Sequence, residues 1–339
     1  MYYSCEWIEY KMCVDLNRLT FCCKPYGENK GFIPICDFNG GALPIDIVLR
    51  RRDELREQNN SSSENYPCKG CPLLLKRQWD QLPNGVYFNQ INISNSILCN
   101  LECTYCYTVI HKDWYSAIKP YDLKPVLLDV VAKGYMVEGG RLEWAGGEPT
   151  ILPGFNELFD TFLKKGCVQT VFTNAVVFSE AVEDALKQQK ASVVTSVDCG
   201  TPETYLKIKG KDHFNNVWAN LLRYNNAGGA VVVKYIINRH TSSDTDVHQF
   251  IALCIKNNVK FISITCDMNE IHDDSISDET LLAAATMATE AKNNNLKFEI
   301  RYDDFTEKHA GKLTRYLHEK ERNIRPLTMM SQLRNLLSL

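Results

Sequence analysis

The sequence predicts an α/β protein: an open, partial (β/α)6 barrel with a cysteine-rich module ahead of it. From about residue 85, short apolar runs at 86–93, 141–145, 168–172, 192–197, 231–237 and 261–265 alternate with stretches whose apolar residues recur at helical spacing, at 123–137, 156–165, 181–190, 214–227, 247–257 and 279–294. Six such units imply parallel strands joined by right-handed crossovers. The first 82 residues lack this rhythm and carry Cys13, Cys22, Cys23, Cys36, Cys68 and Cys71 instead. The expected divisions are therefore a cysteine-rich module at 1–82, a barrel at 83–300 and a C-terminal helical extension at 301–339.

In the first segment, the polar stretch 58–65, with Ser61, Ser62 and Ser63, reads as a surface loop. It leads into Pro67-Cys68-Lys69-Gly70-Cys71-Pro72, where proline and glycine favour a tight knuckle whose backbone N–H groups can face a thiolate or a sulfide. Cys13, Cys22, Cys68 and Cys71 can close a four-thiolate site, with Cys23 able to replace Cys22 and Cys36 able to replace Cys13. A 4Fe-4S cluster, a zinc knuckle and plain buried thiols all remain open for this group. Cys5, Cys167, Cys199, Cys254 and Cys266 are dispersed and read as small core hydrophobes.

In a TIM-like barrel chemistry collects at the C-terminal ends of the strands. Those ends carry Gly146-Gly147-Glu148, then Thr173-Asn174, then Ser196-Val197-Asp198, then Asn238. Glycines let backbone approach a ligand closely, and a carboxylate accepts hydrogen bonds from an ammonium group. Taken singly, each Ser, Thr, Asn or Asp is equally a helix cap. Lys209, at the end of a helical stretch, reads as solvated. The tail from 302 to 339 mixes charge with leucines at helical spacing and is expected to pack on the barrel.

Composition narrows the function. The chain has 339 residues, 45% hydrophobic and 23% charged, with a net charge of −3, so it can bury a large core and offers no basic field for nucleic acid. Its start lacks the basic and apolar regions of a signal peptide, and no run of eighteen apolar residues occurs, so a cytoplasmic protein without a membrane span is expected. In a reducing compartment, cysteines at such short spacings point to metal rather than to disulfides.

The sharpest signal is Cys99-Asn100-Leu101-Glu102-Cys103-Thr104-Tyr105-Cys106. With 14 cysteines in the chain, roughly 0.02 chance occurrences of this three-position pattern are expected. Three thiolates can hold one face of an iron–sulfur cube and leave one iron without a protein ligand. A structural zinc site would want a fourth ligand nearby, for which His111 is the candidate. The seven histidines are dispersed and form no H-E-x-x-H motif.

The motif resembles the C-x3-C-x-aromatic-C signature of the radical S-adenosylmethionine (radical SAM) superfamily, with Tyr105 as the aromatic, and Gly146-Gly147-Glu148 resembles that family's strand-ending motif. The other Gly-Gly pairs, at Gly40, Gly139 and Gly228, do not precede Glu. The resemblance implies a 4Fe-4S cluster on Cys99, Cys103 and Cys106, with the methionine amine of S-adenosylmethionine (SAM) at Gly146, Gly147 and Glu148. It places Thr173, Asn174, Ser196, Asp198 and Asn238 at the ribose and carboxylate, and Tyr105 near the adenine. It implies an electron donor such as flavodoxin or ferredoxin, reductive cleavage of SAM, and a 5'-deoxyadenosyl radical that takes hydrogen from a substrate.

The N-terminal cysteines resemble the auxiliary-cluster modules (SPASM or twitch) of that family, although those modules follow the barrel, and they imply a second 4Fe-4S cluster, with zinc as the alternative. A peptide or protein substrate is slightly favoured over a small sugar- or aminocyclitol-type molecule. The rival of another class is a non-catalytic iron–sulfur or zinc scaffold, which has no physical need to keep the three cysteines together with Gly-Gly-Glu.

Overall fold

Strands and helices alternate as the apolar pattern predicts, and the fold is mixed α/β with parallel strands. The computed structural model describes residues 1–22, 32–301 and 308–320, so Cys23 and most of the tail lie outside the described residues. The chain divides into two units. Unit 1 holds Met1–Asn100, His111–Thr173 and Ser179–Ser192, and unit 2 holds Leu101–Ile110, Asn174–Phe178 and Val193–Leu339.

Unit 1 carries β1 (Tyr2–Ser4), β2 (Lys11–Asp15), β3 (Arg18–Thr20), β4 (Pro34–Asp37), β5 (Leu75–Arg77), β6 (Phe88–Ser94), β7 (Met136–Trp144) and β8 (Val168–Phe172). β1 and β5 form a separate antiparallel ribbon with Ser4 opposite Leu75. The others run in the order β8-β7-β6-β2-β3-β4. β6, β7 and β8 are parallel, with Ile93 opposite Trp144 and Trp144 opposite Val171. On the other flank β2 runs parallel to β6, Val14 opposite Ile93. The segment 1–82 lends β2, β3 and β4 to the sheet that contains β6. Burial explains this: Met12 and Val14 are fully inaccessible, and each side chain so removed from water favours the fold by about 1.5–3 kcal/mol.

The helix Phe155–Lys164 covers this sheet with Phe155, Leu158, Phe159 and Phe162, one face at i, i+3, i+4 and i+7. Trp144 packs edge-on against Phe155 at 5.1 Å, and its Nε1 donates to Gln169 Oε1 at 2.9 Å, so the indole is both apolar filler and satisfied donor. The helical run expected over 123–137 is cut short. The helix is Lys124–Lys133, because Gly134 adopts φ +68° and ends it, and β7 begins at Met136, five residues ahead of the expected apolar run at 141–145.

In unit 2, β9 (Ala191–Ser196, whose first two residues belong to unit 1), β10 (Ala230–Ile237), β11 (Phe261–Cys266) and β12 (Lys297–Ile300) follow in the order β12-β11-β10-β9. β10 and β11 are parallel from Val232–Phe261 to Ile237–Cys266, and β12 runs parallel to β11. β12 has four residues and carries no apolar run long enough to announce it. The helix Phe214–Asn226 buries Phe214, Val217, Trp218, Leu221 and Tyr224. Of the expected C-terminal extension, residues 308–320 are described and helical, with Leu313 buried. Among the described residues no helix is long and apolar enough to cross a membrane.

Candidate functional site

In unit 1 the chain leaves β7 through Gly146 (φ +73°) and Gly147 (φ +51°). A Cβ on Gly146 would sit 2.9 Å from Ser94 Cα, and one on Gly147 would sit 2.3 Å from the Leu98 carbonyl oxygen. Only glycine allows both the left-handed conformation and this approach to the backbone that leads into Cys99. The next N–H, that of Glu148, donates to the Leu98 carbonyl at 2.7 Å. Gly147→Ala is expected to cost about 2 kcal/mol or more, strain and overlap together, whereas Gly139→Ala, at φ +70° with no atom closer than 4.0 Å, meets only the strain. Urea unfolding of the two variants separates the terms; equal losses would mean that the approach to Leu98 does not constrain the turn.

Glu148 is 1% exposed, and its Oε1 accepts from the Thr150 N–H at 3.1 Å, the Thr150 hydroxyl at 2.6 Å and the Thr173 hydroxyl at 2.7 Å. The ends of β7 and β8 are thus brought together on one carboxylate. Cys99 lies half-buried at the end of this unit's first segment.

In unit 2 Cys103 and Cys106 are half-buried in a tight turn, the Cys106 N–H donating to the Cys103 carbonyl at 3.0 Å, with Cys106 Sγ 3.0 Å from Thr108 Oγ1. This segment is tied to the helix Pro202–Lys209. The Glu102 N–H donates to the Lys209 carbonyl at 3.0 Å, and the Thr104 N–H to the Ile208 carbonyl at 2.9 Å. The helix starts on Thr201, whose hydroxyl caps Thr204 N, and stops on left-handed Gly210.

Lys209 corrects the sequence reading. Instead of being solvated it is 2% exposed, and its Nζ donates to Asp198 Oδ2 at 2.5 Å, the Tyr105 hydroxyl oxygen at 2.5 Å and the Ser196 carbonyl at 2.8 Å. Asp198, wholly inaccessible at φ +65°, also takes the Tyr105 hydroxyl on Oδ2 and the Ile236 N–H on Oδ1 at 2.7 Å. Burial disfavours the charge on Lys209, but the Asp198 carboxylate and then Cys103 outweigh it and raise the ammonium above its usual range. Burial, Asp198 and Cys103 together push the Tyr105 phenol well up, so it stays protonated.

The remaining strand-end residues make local turns. Asn174 Oδ1 accepts from Val176 N at 2.9 Å, and Asn238 Oδ1 accepts from His240 N at 2.8 Å. Ser196 is half-buried at the end of β9.

The N-terminal cysteines lie on several elements of the chain. Cys13 is buried on β2 opposite Thr20, and Cys36 lies on β4. Cys22 Sγ accepts from Ile33 N at 3.4 Å. Cys68 and Cys71 form the expected knuckle, with Cys71 N donating to the Cys68 carbonyl at 3.1 Å and Gly70 at φ +72°. Among the described residues no group of three or more His, Cys, Asp and Glu side chains stands at the spacing that a single metal ion requires. The donor chemistry at Cys99, Cys103 and Cys106 suits a multi-iron cluster, in which each thiolate takes a different iron.

Comparison with known proteins bears on the same residues. The model of the Radical SAM superfamily matches residues 96–254. A GTP 3',8-cyclase of Desulforamulus reducens is 26% identical over 137 residues, 39% of this chain and 41% of that protein. A GTP 3',8-cyclase of Gloeobacter violaceus is 30% identical over 139 residues, 39% of this chain and 42% of that protein. The chain thus matches less than half the length of these two relatives. The structure of native anSMEcpe with bound AdoMet superposes with a TM-score of 0.50 at 19% identity, covering 63% of this chain and 64% of that one, a likeness of fold.

Proposed function

We propose that the chain, whose residues 96–254 match the model of the Radical SAM superfamily, is an enzyme that cleaves SAM reductively and uses the resulting radical to take hydrogen from a substrate. The family implies a 4Fe-4S cluster and SAM. One observation carries the reading to this chain: the Gly146-Gly147-Glu148 turn closes on the backbone immediately before Cys99, at contacts only glycine permits. Bound here, a 4Fe-4S cluster and SAM would supply the radical chemistry, the reductive cleavage of SAM at its sulfonium, and the chain would hold and orient them.

The chain's own residues hold and orient. Cys99, Cys103 and Cys106 are proposed as the cluster ligands. Gly146, Gly147 and Glu148 receive the methionine amine, and Ser196, Asn174 and Asn238 serve SAM directly. Thr173 acts by fixing Glu148, to which it is hydrogen-bonded, and Asp198 by fixing Tyr105, whose ring borders the adenine. An electron donor such as flavodoxin or ferredoxin supplies the reductant. Residues 1–82 are proposed to hold a second 4Fe-4S cluster, with zinc the alternative.

A peptide or protein is proposed as substrate on the strength of those N-terminal cysteines. A small-molecule substrate is the second reading, favoured by the relatives named GTP 3',8-cyclase. Anaerobic incubation of the reduced protein with SAM tests the core of the proposal: release of 5'-deoxyadenosine is expected, and none from a fully reconstituted protein would leave the scaffold reading. Consumption of added GTP would select the second substrate class.

Glu148→Ala is expected to weaken SAM binding by roughly 10- to 100-fold, the worth of a charged hydrogen bond, with iron content unchanged. Equilibrium binding beside iron analysis checks this. Loss of iron together with SAM binding would make Glu148 a structural residue.

A further inference from the structure

We propose that Cys5 joins Cys68 and Cys71 as the thiolate ligands of the N-terminal iron–sulfur centre, and that Cys13 is not among them. The inference rests on the reading of residues 1–82 given above and changes its ligand set. Chain direction brings the three toward one another. β1 and β5 pair with Ser4 opposite Leu75, and Cys5, extended at φ −144°, is the next residue along β1 as Leu74 is the one before β5. Leu74 N donates to the Cys71 carbonyl at 3.1 Å, and Cys71 N to the Cys68 carbonyl at 3.1 Å, so two successive turns bring both cysteines back beside Cys5. Cys13 belongs to β2, in the main sheet, between the fully buried Met12 and Val14.

The chemistry agrees with the placement. Cys5 and Cys68 are each 8% exposed, and Cys71 is half-buried. Cys68 and Cys71 lie near enough to act electrostatically on the Cys5 sulfur, which the backbone N–H groups of Ile8 and Trp7 also face.

A second observation points to a ligand at the same place. Asn59 is 4% exposed, and its Oδ1 accepts the Cys68 N–H at 3.3 Å. Among the described residues its buried Nδ2 has no partner at full hydrogen-bond geometry, and the Asn59 side chain faces the Cys68 sulfur, where it favours the thiolate. A metal-bound thiolate at Cys68 is a stronger acceptor for this buried amide than a thiol.

The test uses the full chain, reconstituted anaerobically with iron and sulfide, in a Cys99→Ala/Cys103→Ala/Cys106→Ala background so that any remaining iron belongs to the N-terminal centre. About four irons and four sulfides per chain are expected there, falling to near zero with Cys5→Ser and unchanged with Cys13→Ser. Mössbauer spectra report the same loss independently of activity. Cys5→Ala and far-UV circular dichroism accompany Cys5→Ser, and a folded variant of either kind is scored.

Retention of iron in a folded Cys5 variant overturns the proposal, as does loss of iron in a folded Cys13→Ser chain. Zinc in place of iron, or no metal in the background chain, overturns it as well. SAM cleavage by the unaltered chain is scored separately, so failure of the Cys99–Cys106 reading cannot be mistaken for failure of this one.

Discussion

Replacing Cys99, Cys103 and Cys106 together by alanine is expected to abolish 5'-deoxyadenosine release and to remove about four irons per chain, the content of one cubane. The three side chains sit in a segment whose backbone is fixed without metal. Leu98 is held by Glu148 on the unit 1 side, and Glu102 and Thr104 are held by the helix Pro202–Lys209 within unit 2. The apo variant is therefore expected to keep its secondary structure and its urea midpoint while losing iron and activity. Cleavage of SAM that survives in the triple variant would sink the assignment of these cysteines. Collapse of the fold would instead mean that the cluster, and not the hydrogen bonds, organises the segment.

Lys209→Met carries the largest expected loss of stability. It removes the ammonium and leaves the Asp198 carboxylate wholly inaccessible, with a phenol and one backbone N–H as its remaining donors. Breaking one side of a buried ion pair costs about 3–5 kcal/mol. Adding Asp198→Asn should return at least half of that, because no charge is then left stranded. Denaturant unfolding of the two single variants and the double closes the cycle. A change below about 1 kcal/mol in Lys209→Met would show that water reaches the pair.

Much of the fold is legible in the sequence because its strands are long apolar runs and its helices present a single face. The runs at 86–93, 168–172, 192–197, 231–237 and 261–265 appear as β6, β8, β9, β10 and β11 within a residue or two at most ends. β2, β3 and β4 escape because strands of three to five residues that carry cysteine and charge have no period to detect. β7 is misjudged at its start because Gly139 and Gly140 interrupt its apolar pattern.

The site divides in the same way. The cysteines and Gly-Gly-Glu announce themselves by spacing alone. Lys209 was hidden by its type and by its place before a helix-ending glycine. Its signal was positional: Tyr205, Ile208 and Lys209 occupy one buried helical face at i, i+3 and i+4, where a solvated lysine has no reason to be. The proposed partnership of Cys5 with Cys68 and Cys71 depends on a ribbon that spans some seventy residues, and no local pattern encodes it.

The parallel pairing of β2 with β6 also has a bearing on solubility. Without β2, β6 would present seven residues of unpaired N–H and C=O groups, Phe88–Ser94, on an open sheet edge, the geometry that recruits strands from other molecules. In the intact chain the outermost strand on that flank is β4, four residues long and opening on Pro34, which has no N–H to offer. Among the described residues the N-terminal segment thus replaces a long open edge by a short, proline-blunted one, and a chain cut away at residue 83 is expected to self-associate more readily.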